Sequence, residues 1–459
     1  MSRSTGWKAD QGRVDFTAGS ILVQIIRFSI PILIGNLFQQ MYTIVDSILL
    51  GRLVSPQALA AAGNVTPVTV LMLSVISGFT LGTSLVTAAL TGAGQQKEVR
   101  RLIESTFLCN MMIGIALAFL AFSGASWLLG LMHTPPEVKG LSMRYLRIIC
   151  VGIVFQCLGQ YLTDVLRGMG DSRTPLFFLL MSTGLNIVLD ILFTAGFRLG
   201  VDGVAWATVI AQACAALACL VYSRRRYDCF SLNVRPSGID RSLLMRSLRL
   251  GLPSAVQQMV GSLGAICMQT VVNGFGAAAM NAYSSAYKVD NFIMLPVSNM
   301  GAALGTCVAQ NVGAGRYDRA RQGFWKVSAL CAVLSVALSA LIFCFAESLA
   351  GIFVTREQTE IIRLGARGLR ILAVPYVLCS QLALYMSFFK GAGAVRAALA
   401  GSLSQVAVRL LICTVLAPVI GLDAVWFAMP ATWVLIGGIS FVYDRKTDWE
   451  QRWKSGLKV

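Results

Sequence analysis

Twelve apolar stretches dominate this sequence, and each is about as long as a helix that crosses a lipid bilayer. Their approximate limits are 20–50, 60–90, 104–131, 143–166, 175–198, 203–222, 250–273, 278–309, 326–354, 366–389, 397–420 and 424–443. A membrane-spanning helix needs roughly 20 predominantly apolar residues. The longest polar interruption, 223–249, is too short to form a separate domain. The sequence therefore predicts an all-α membrane protein with twelve transmembrane helices.

The composition supports this prediction and excludes several other classes of protein. Of the 459 residues, 56% are hydrophobic and only 13% are charged, and the mean hydropathy is +0.70. A soluble domain carries about 25% charged residues, so a soluble enzyme and a disordered chain are both excluded. The chain has one histidine and no Cys-x-x-Cys pair, which gives no motif for a metal centre. We therefore expect no cofactor.

The positions of the basic residues predict the orientation of the chain in the membrane. With the N terminus placed inside, 27 of the 38 Lys and Arg residues fall in cytoplasmic segments and only 9 in outer loops. This bias follows the positive-inside rule, so we expect a cell-membrane protein with both termini in the cytoplasm. The net charge of +17 then reflects the orientation of the chain in the membrane. The basic residues favour contact with anionic lipid headgroups and do not indicate binding to nucleic acid. Lys288 and Arg409 lie within apolar stretches, and their roles stay open.

The sequence is an internal duplication. When it is shifted against itself by 221 to 223 residues, Leu81-Gly82-Thr83 aligns with Leu304-Gly305-Thr306, and Gly92-Ala93-Gly94 aligns with Gly313-Ala314-Gly315. Six helices per half is an even number, so both halves enter the membrane in the same direction as parallel repeats. Transporters built in this way bind substrate between the halves and rock them to alternate access.

The duplication predicts a simple division of the chain into two lobes and three connecting or terminal segments. These are a cytoplasmic N-terminal segment, 1–19; an N-lobe with helices 1 to 6, 20–222; a cytoplasmic Arg-rich linker, 223–249; a C-lobe with helices 7 to 12, 250–443; and a cytoplasmic tail, 444–459.

Polar and ionisable residues deep in the first half indicate an ion site. An ionisable side chain in the middle of a span costs about 2.5 to 3.5 kcal/mol, so each one is a functional hypothesis. Counted from the predicted span ends, three residues, Asp46, Asp190 and Thr208, lie at one depth, roughly 6 to 11 Å from the outer boundary. Asn186 lies one turn from Asp190, on the same face of its helix. The oxygens of these residues can coordinate a hard cation or the carboxylates can hold protons. The alternative is that they only form interhelical hydrogen bonds.

The second half does not repeat this set. At the same repeat offset, Asp46 corresponds to Met268, Asp190 to Cys413 and Asn186 to Arg409. The carboxylate cluster therefore belongs to the first half alone. Arg409 either contacts an anionic substrate or lipid or forms a structural bond to backbone or to an acid of a neighbouring helix. Lys288 and Asp290 are either interhelical structure or cavity lining.

Uncharged polar residues along the spans predict a wet cavity for an amphipathic substrate. In the first half these include Gln39 and Tyr42, on the same span as Asp46. In the second half they include Gln257, Gln258 and Tyr385. With the Met-rich and Phe-rich spans around them, they could form an adaptable surface for organic cations.

These residues resemble the multidrug and toxic compound extrusion (MATE) transporters, and the resemblance covers essentially the whole chain. The motifs that carry it are Pro31 with Gln39 and Asp46, the segment Arg167-Gly168-Met169-Gly170-Asp171-Ser172-Arg173-Thr174-Pro175, Asn186-x-x-x-Asp190, and Ala207-Thr208. The resemblance implies twelve helices in two lobes and export of organic cations in exchange for Na+ or H+. It also implies that Asp46, Asn186, Asp190 and Thr208 form the N-lobe cation site, with Gln39 nearby.

The resemblance leaves the second lobe without an ion site. Some members of the family carry acidic residues in the seventh and tenth helices, whereas this chain has Gln257 and Gln258 in the seventh and no acid in the tenth. Coupling to the ion gradient would then fall on the first lobe.

We therefore expect a monomeric secondary active exporter, not an enzyme, that exchanges organic cations or other amphipathic drugs for Na+ or H+. One alternative is a lipid-linked saccharide flippase of similar architecture, in which Arg409 and Lys288 would bind a pyrophosphate group. Another is an intramembrane aspartyl protease, because Gly168-Met169-Gly170-Asp171 matches a Gly-x-Gly-Asp signature. Its repeat at 391–394 lacks the aspartate, which favours a simple turn between helices.

Overall fold

A computed structural model describes residues 12–132, 134–230, 239–353 and 358–456, and in these ranges the chain is helical with no β-strand. The helices are α1 Ile21–Leu49, α2 Pro56–Gly92, α3 Gln96–Leu131, α4 Pro136–Gly168, α5 Arg173–Ile191, α6 Gly200–Arg226, α7 Arg241–Asn273, α8 Ala277–Gly313, α9 Tyr317–Ala350, α10 Thr359–Ala373, α11 Tyr376–Gly391, α12 Val395–Ile420, α13 Asp423–Lys446 and α14 Trp449–Gly456. Short π-helical turns, Leu50–Val54 and Leu192–Gly196, extend α1 and α5.

The helices of the described ranges confirm the prediction of a multi-pass membrane protein. Eleven of them are long and apolar enough to cross a bilayer, and a bent pair of shorter helices brings the number of spans to as many as twelve. Apolar side chains that a soluble protein would bury are exposed on these helices, for example Phe119 and Trp127 on α3 and Val333 on α9. Outward-facing apolar side chains are expected where lipid is the solvent.

The tenth span differs from its predicted form. The apolar stretch 366–389 predicts one membrane-spanning helix, whereas the structure has two helices, α10 and α11, at an angle of 62°. Pro375 lies between them. Proline has no backbone N–H to continue the helix, and its ring clashes with the carbonyl group four residues earlier. The apolar pattern concealed the break, although the proline that causes it is visible in the sequence.

The chain forms two compact units. Most of the first is Ile30–Ala255 and most of the second is Val256–Val459, while Phe16–Ser29, which includes the start of α1, groups with the second unit. The division falls within α7. The predicted lobe boundaries stay a prediction.

The turns and helix crossings repeat in the two halves, as the duplication predicts. Gly170, after α4, and Gly393, after α11, both have positive φ, of 89° and 77°. Only glycine adopts this conformation without a steric cost. Gly168 packs against the backbone of Ser84, and its counterpart Gly391 packs against the backbone of Gly305. Glycines at such crossings let two membrane helices approach closely.

Candidate functional site

Three helices of the first unit bring polar side chains together inside the membrane-spanning region. α1 supplies Tyr42 and Asp46, α5 supplies Asn186 and Asp190, and α6 supplies Thr208. Asn186 and Asp190 lie one turn apart on α5 and so share a face. Both are buried, and Asp190 is 0% exposed.

The amide of Asn186 lies at the centre of this cluster. In the amide orientation that matches donors with acceptors, its nitrogen donates to the Tyr42 hydroxyl at 3.2 Å and to Asp190 Oδ2 at 3.1 Å. Its oxygen then accepts the backbone N–H of Thr208 at 3.1 Å. The Tyr42 and Thr208 hydroxyls are themselves 3.4 Å apart. One carboxamide thus connects all three helices.

The two carboxylates of the cluster are incompletely satisfied. Asp190 Oδ1 and Asp46 Oδ1 are buried and have no hydrogen-bond partner in the described part of the chain. The two carboxylates are close enough for their charges to interact, and neither forms an ion pair with a described basic residue. An unpaired buried acceptor is costly. A bound proton or a small cation would satisfy these oxygens, and the surrounding hydroxyl and amide oxygens are also ligands that Na+ accepts.

The structure adds Tyr145, which sequence reasoning missed. This residue of α4 is buried and lies near enough to Asp46, Asp190 and Tyr42 to interact with them electrostatically. In the sequence it stands out only because Tyr145-Leu146-Arg147 aligns with Gly368-Leu369-Arg370 of the second half in the duplication. Its position inside the predicted span 143–166 was the signal that could have found it.

A cavity of about 380 Å³ begins at this cluster and continues inside the first unit. Tyr42 and Pro31 lie at its two ends on α1, which are about 16 Å apart at 1.5 Å per residue. Gln39, predicted to line a substrate cavity, lies on its wall together with Tyr42. The remaining polar side chains of the wall, which the sequence did not assign to a cavity, include Gln156, Gln160, Thr163, Arg167, Ser182, Thr183 and Gln212.

Beside this cavity, Asp164 has a full set of partners. It accepts hydrogen bonds from the Thr80 hydroxyl at 2.5 Å and the Gln160 amide at 2.9 Å, and it lies 3.9 Å from the Arg167 guanidinium. Its neighbours therefore compensate its charge, in contrast to Asp46 and Asp190.

The predicted cavity residues of the second unit do not converge. Gln257 is buried and donates to the Ala398 carbonyl at 3.3 Å and to Ser402 Oγ at 2.8 Å. Gln258 is exposed, and Tyr385 packs on Phe324 with ring centroids 4.8 Å apart. Their part in substrate binding stays a prediction.

Asp290 and Arg409, two ionisable residues of the second unit, lie close together. The Tyr376 hydroxyl donates to Asp290 Oδ1, and Arg409 is close enough to Asp290 for their charges to interact. Lys288 is exposed and lies on another face of α8.

The Gly-x-Gly-Asp segment is a turn between α4 and α5. Asp171 Oδ1 accepts the backbone N–H groups of Arg173 and Thr174 at 3.0 Å each, as a residue at the start of a helix does. Its Oδ2 accepts the Tyr227 hydroxyl at 2.6 Å. Both oxygens of this carboxylate are engaged in holding the turn, which removes the basis for a protease.

This chain has relatives both among known protein families and among individual proteins. The MatE family model matches this chain twice, at residues 31–192 and 253–415, so the second match begins 222 residues after the first. The probable multidrug resistance protein YoeA of Bacillus subtilis (strain 168) is 30% identical, over 80% of this chain and 81% of its own length. The probable multidrug resistance protein YpnP of the same organism is 32% identical, over 66% of this chain and 68% of its own length.

Solved structures show the same fold. A MATE protein in the bent conformation aligns with a TM-score of 0.90 at 23% identity, covering 97% of this chain and 99% of its own. A MOP superfamily transporter from Pyrococcus furiosus Vc1 (DSM3638) aligns with a TM-score of 0.88 at 22% identity, covering 97% and 99%. The predicted fold of two six-helix repeats is confirmed. The chain belongs to the MatE family of multidrug efflux transporters, whose members are transporters and not enzymes and use no cofactor.

Proposed function

We propose that this protein is a secondary active exporter that moves organic cations and other amphipathic drugs out of the cell in exchange for Na+ or H+. The observation that carries the proposal is the pair Asp46 and Asp190, each with a buried oxygen that has no partner among the described residues. Other carboxylates of the described ranges, such as Asp164, Asp202 and Asp444, lie in ion pairs with arginines, whereas Asp46 and Asp190 have no basic partner among the described residues. A site with unsatisfied acceptors is suited to bind and release an ion.

The coupling ion binds among Asp46, Asn186, Asp190 and Thr208, with Tyr42 and Tyr145 beside them. As Na+ it takes carboxylate, amide and hydroxyl oxygens as ligands. As H+ it is shared by two carboxylates whose mutual repulsion favours taking up one proton. Binding of either ion offsets the same energetic cost, which is the cost of holding negative charge away from water.

α1 connects the ion to the drug. It carries Asp46 in the ion site and Gln39 and Tyr42 on the wall of the 380 Å³ cavity. An ion that pulls Asp46 towards α5 therefore changes the shape of the cavity. Ion and drug each weaken the binding of the other by the same factor, and rocking of the two lobes carries them in opposite directions.

The protein acts as a monomer in the cell membrane, with the segments at both ends of the chain in the cytoplasm. Its basic cytoplasmic segments lie against anionic lipid headgroups.

Efflux of a fluorescent organic cation from proteoliposomes, with Na+ and pH gradients imposed separately, tests this proposal. One of the two gradients should drive efflux, and Asp46→Asn and Asp190→Asn should each abolish the gradient dependence. The matched control is Asp202→Asn, because Asp202 is an acid at the start of α6 whose partner is Arg144 at 3.3 Å. Full gradient-driven efflux by both cluster variants would end the proposal, and transport of a lipid-linked saccharide instead would favour a flippase.

A further inference from the structure

A second cavity, of about 140 Å³, lies inside the second unit between α7, α8 and α12. Its lining residues are Gly261, Gly264, Ala265, Met268, Tyr283, Tyr287, Gln405, Val406, Arg409 and Leu410. These residues include no carboxylate, and their one charged side chain is Arg409. The cavity is thus positive, whereas the polar cluster of the first unit is acidic.

The guanidinium of Arg409 has unused hydrogen-bonding capacity. Its Nε is buried and has no hydrogen-bond partner in the described part of the chain. Asp290 is near enough for the two charges to interact, but Arg409 forms no ion pair within 4.0 Å among the described residues, and Asp290 Oδ1 is bonded to Tyr376. A guanidinium presents five N–H donors in a planar fork that matches a carboxylate. Arg409 can therefore still donate hydrogen bonds to an anionic group.

The other walls suit a flat, partly apolar group that carries the anion. Gln405 lies one turn before Arg409 on α12 and adds an amide donor to the same face. Across the cavity, Tyr283 and Tyr287 of α8 stack with ring centroids 5.9 Å apart, and Met268 adds an apolar surface. A cavity of about 150 Å³ is known to take a benzene ring, so the volume here is right for a single ring.

Glycine keeps this space free. A Cβ atom added at Gly261 would meet no atom within 4 Å, so the position has room that the chain leaves empty. Gly264, by contrast, lies against Val406 and lets α7 approach α12. One glycine thus brings the two helices close, while the other leaves space beside Arg409.

We propose that this cavity of the second lobe binds the aromatic carboxylate end of amphipathic substrates through Arg409. The inference rests on the proposed export function and deepens it, because it assigns the carboxylate end of an amphipathic substrate to a cavity of the second lobe. Arg409 and Gln405 hold the carboxylate, and Tyr283, Tyr287 and Met268 hold the ring. The first lobe, where the acids lie, couples to the ion.

A matched pair of dyes tests the proposal. Rhodamine 19 carries a free benzoate, and rhodamine 6G is its ethyl ester and a pure cation. Binding of each dye to the purified protein is measured by fluorescence anisotropy, without any gradient. Arg409→Gln should weaken rhodamine 19 binding about ten- to a hundred-fold, as expected for loss of hydrogen bonds to a charged group. It should change rhodamine 6G binding by less than about two-fold, since no paired charge is lost there.

One further variant and one control variant keep the result decisive. Gly261→Leu fills the cavity without touching Arg409, so it should also weaken rhodamine 19 selectively even if Arg409→Gln fails to fold. Lys288→Gln removes a cation of α8 that does not line the cavity, and it should leave the binding of both dyes unchanged. If Arg409→Gln or Gly261→Leu alters both dyes equally, or neither, Arg409 serves only to balance Asp290 and the proposal is wrong.

The outcome is separate from that of the export function. Failure of export would show as no gradient-driven efflux of rhodamine 6G by the unaltered protein. Failure of the carboxylate site would show as equal dye preferences in the unaltered protein and in Arg409→Gln, whatever the efflux result.

Discussion

Among single residues, Asn186 has the strongest claim to organise the ion site, because its side chain contacts a residue on each of α1, α5 and α6. Replacing it with alanine removes the donor to Asp190 and Tyr42 and the acceptor for the Thr208 N–H. We expect Asn186→Ala to weaken ion dependence about ten-fold or more, the size of a lost hydrogen bond to a charged group. Dye efflux at graded Na+ and pH measures this. Asn273→Ala, at an exposed amide bonded to Gln269, should leave the dependence unchanged, and an equal effect of both would contradict the assignment.

Tyr145 allows a test of a residue that only the structure identifies. It is close enough to both carboxylates to interact with them electrostatically, so Tyr145→Phe should shift the ion concentration for half-maximal efflux by about three- to ten-fold, because a hydroxyl dipole acts strongly on nearby charge where the dielectric is low. Tyr161→Phe is the matched control, since Tyr161 is a buried tyrosine of the same helix that donates to the Ile103 carbonyl at 2.9 Å. That variant should lower thermal stability and leave the ion dependence unchanged. The reverse pattern would remove Tyr145 from the site.

At the level of helices, the crossings at Gly168 and Gly391 predict where the fold tolerates no added atom. A Cβ at Gly168 would lie 2.6 Å from the Ser84 carbonyl oxygen, and one at Gly391 would meet the Gly305 carbonyl oxygen even more closely. We expect Gly168→Ala and Gly391→Ala each to destabilise the protein by about 1 to 3 kcal/mol, as overpacking does. Thermal unfolding in detergent measures the effect. Gly124→Ala, where nothing lies within 4 Å, should be neutral, and equal melting of all three variants would show that the crossings adapt.

The helices also show how much the sequence could reveal. Spans and repeat follow from hydropathy and register, because length and apolarity suffice for a helix in lipid. The depths of Asp46 and Asp190 follow from the fixed rise per residue, and the structure does bring these residues together. The break at Pro375 and the packing of Tyr385 on Phe324 depend on contacts between helices, which one-dimensional patterns do not record. Tyr145 was missed for the same reason.

Across the whole molecule, one duplicated fold carries two different kinds of polar site. The first half keeps Asn186 and Asp190 where the second half has Arg409 and Cys413, so after duplication the corresponding positions came to differ in charge. In the structure, one unit has an acidic cluster, and the other has a cavity whose lining contains one charged side chain, the guanidinium of Arg409. Division of labour between ion and substrate would explain why the halves differ here while their turns and glycine crossings repeat.

This division predicts how ion and drug should influence each other. If the ion site lies in the first lobe, Na+ or H+ should weaken rhodamine 6G binding to the purified protein by about 5- to 150-fold, the usual range of coupling between two sites. Asp190→Asn should bind the dye with an affinity that no longer responds to the ion, because the responding carboxylate is gone. Arg409→Gln should keep the full response, since its cavity lies outside the ion site. Dye titrations at a series of Na+ concentrations and pH values measure all three proteins. Linkage requires the dye to weaken ion binding by the same factor. If dye binding still responds to the ion in Asp190→Asn and no longer responds in Arg409→Gln, the coupling ion binds in the second lobe instead.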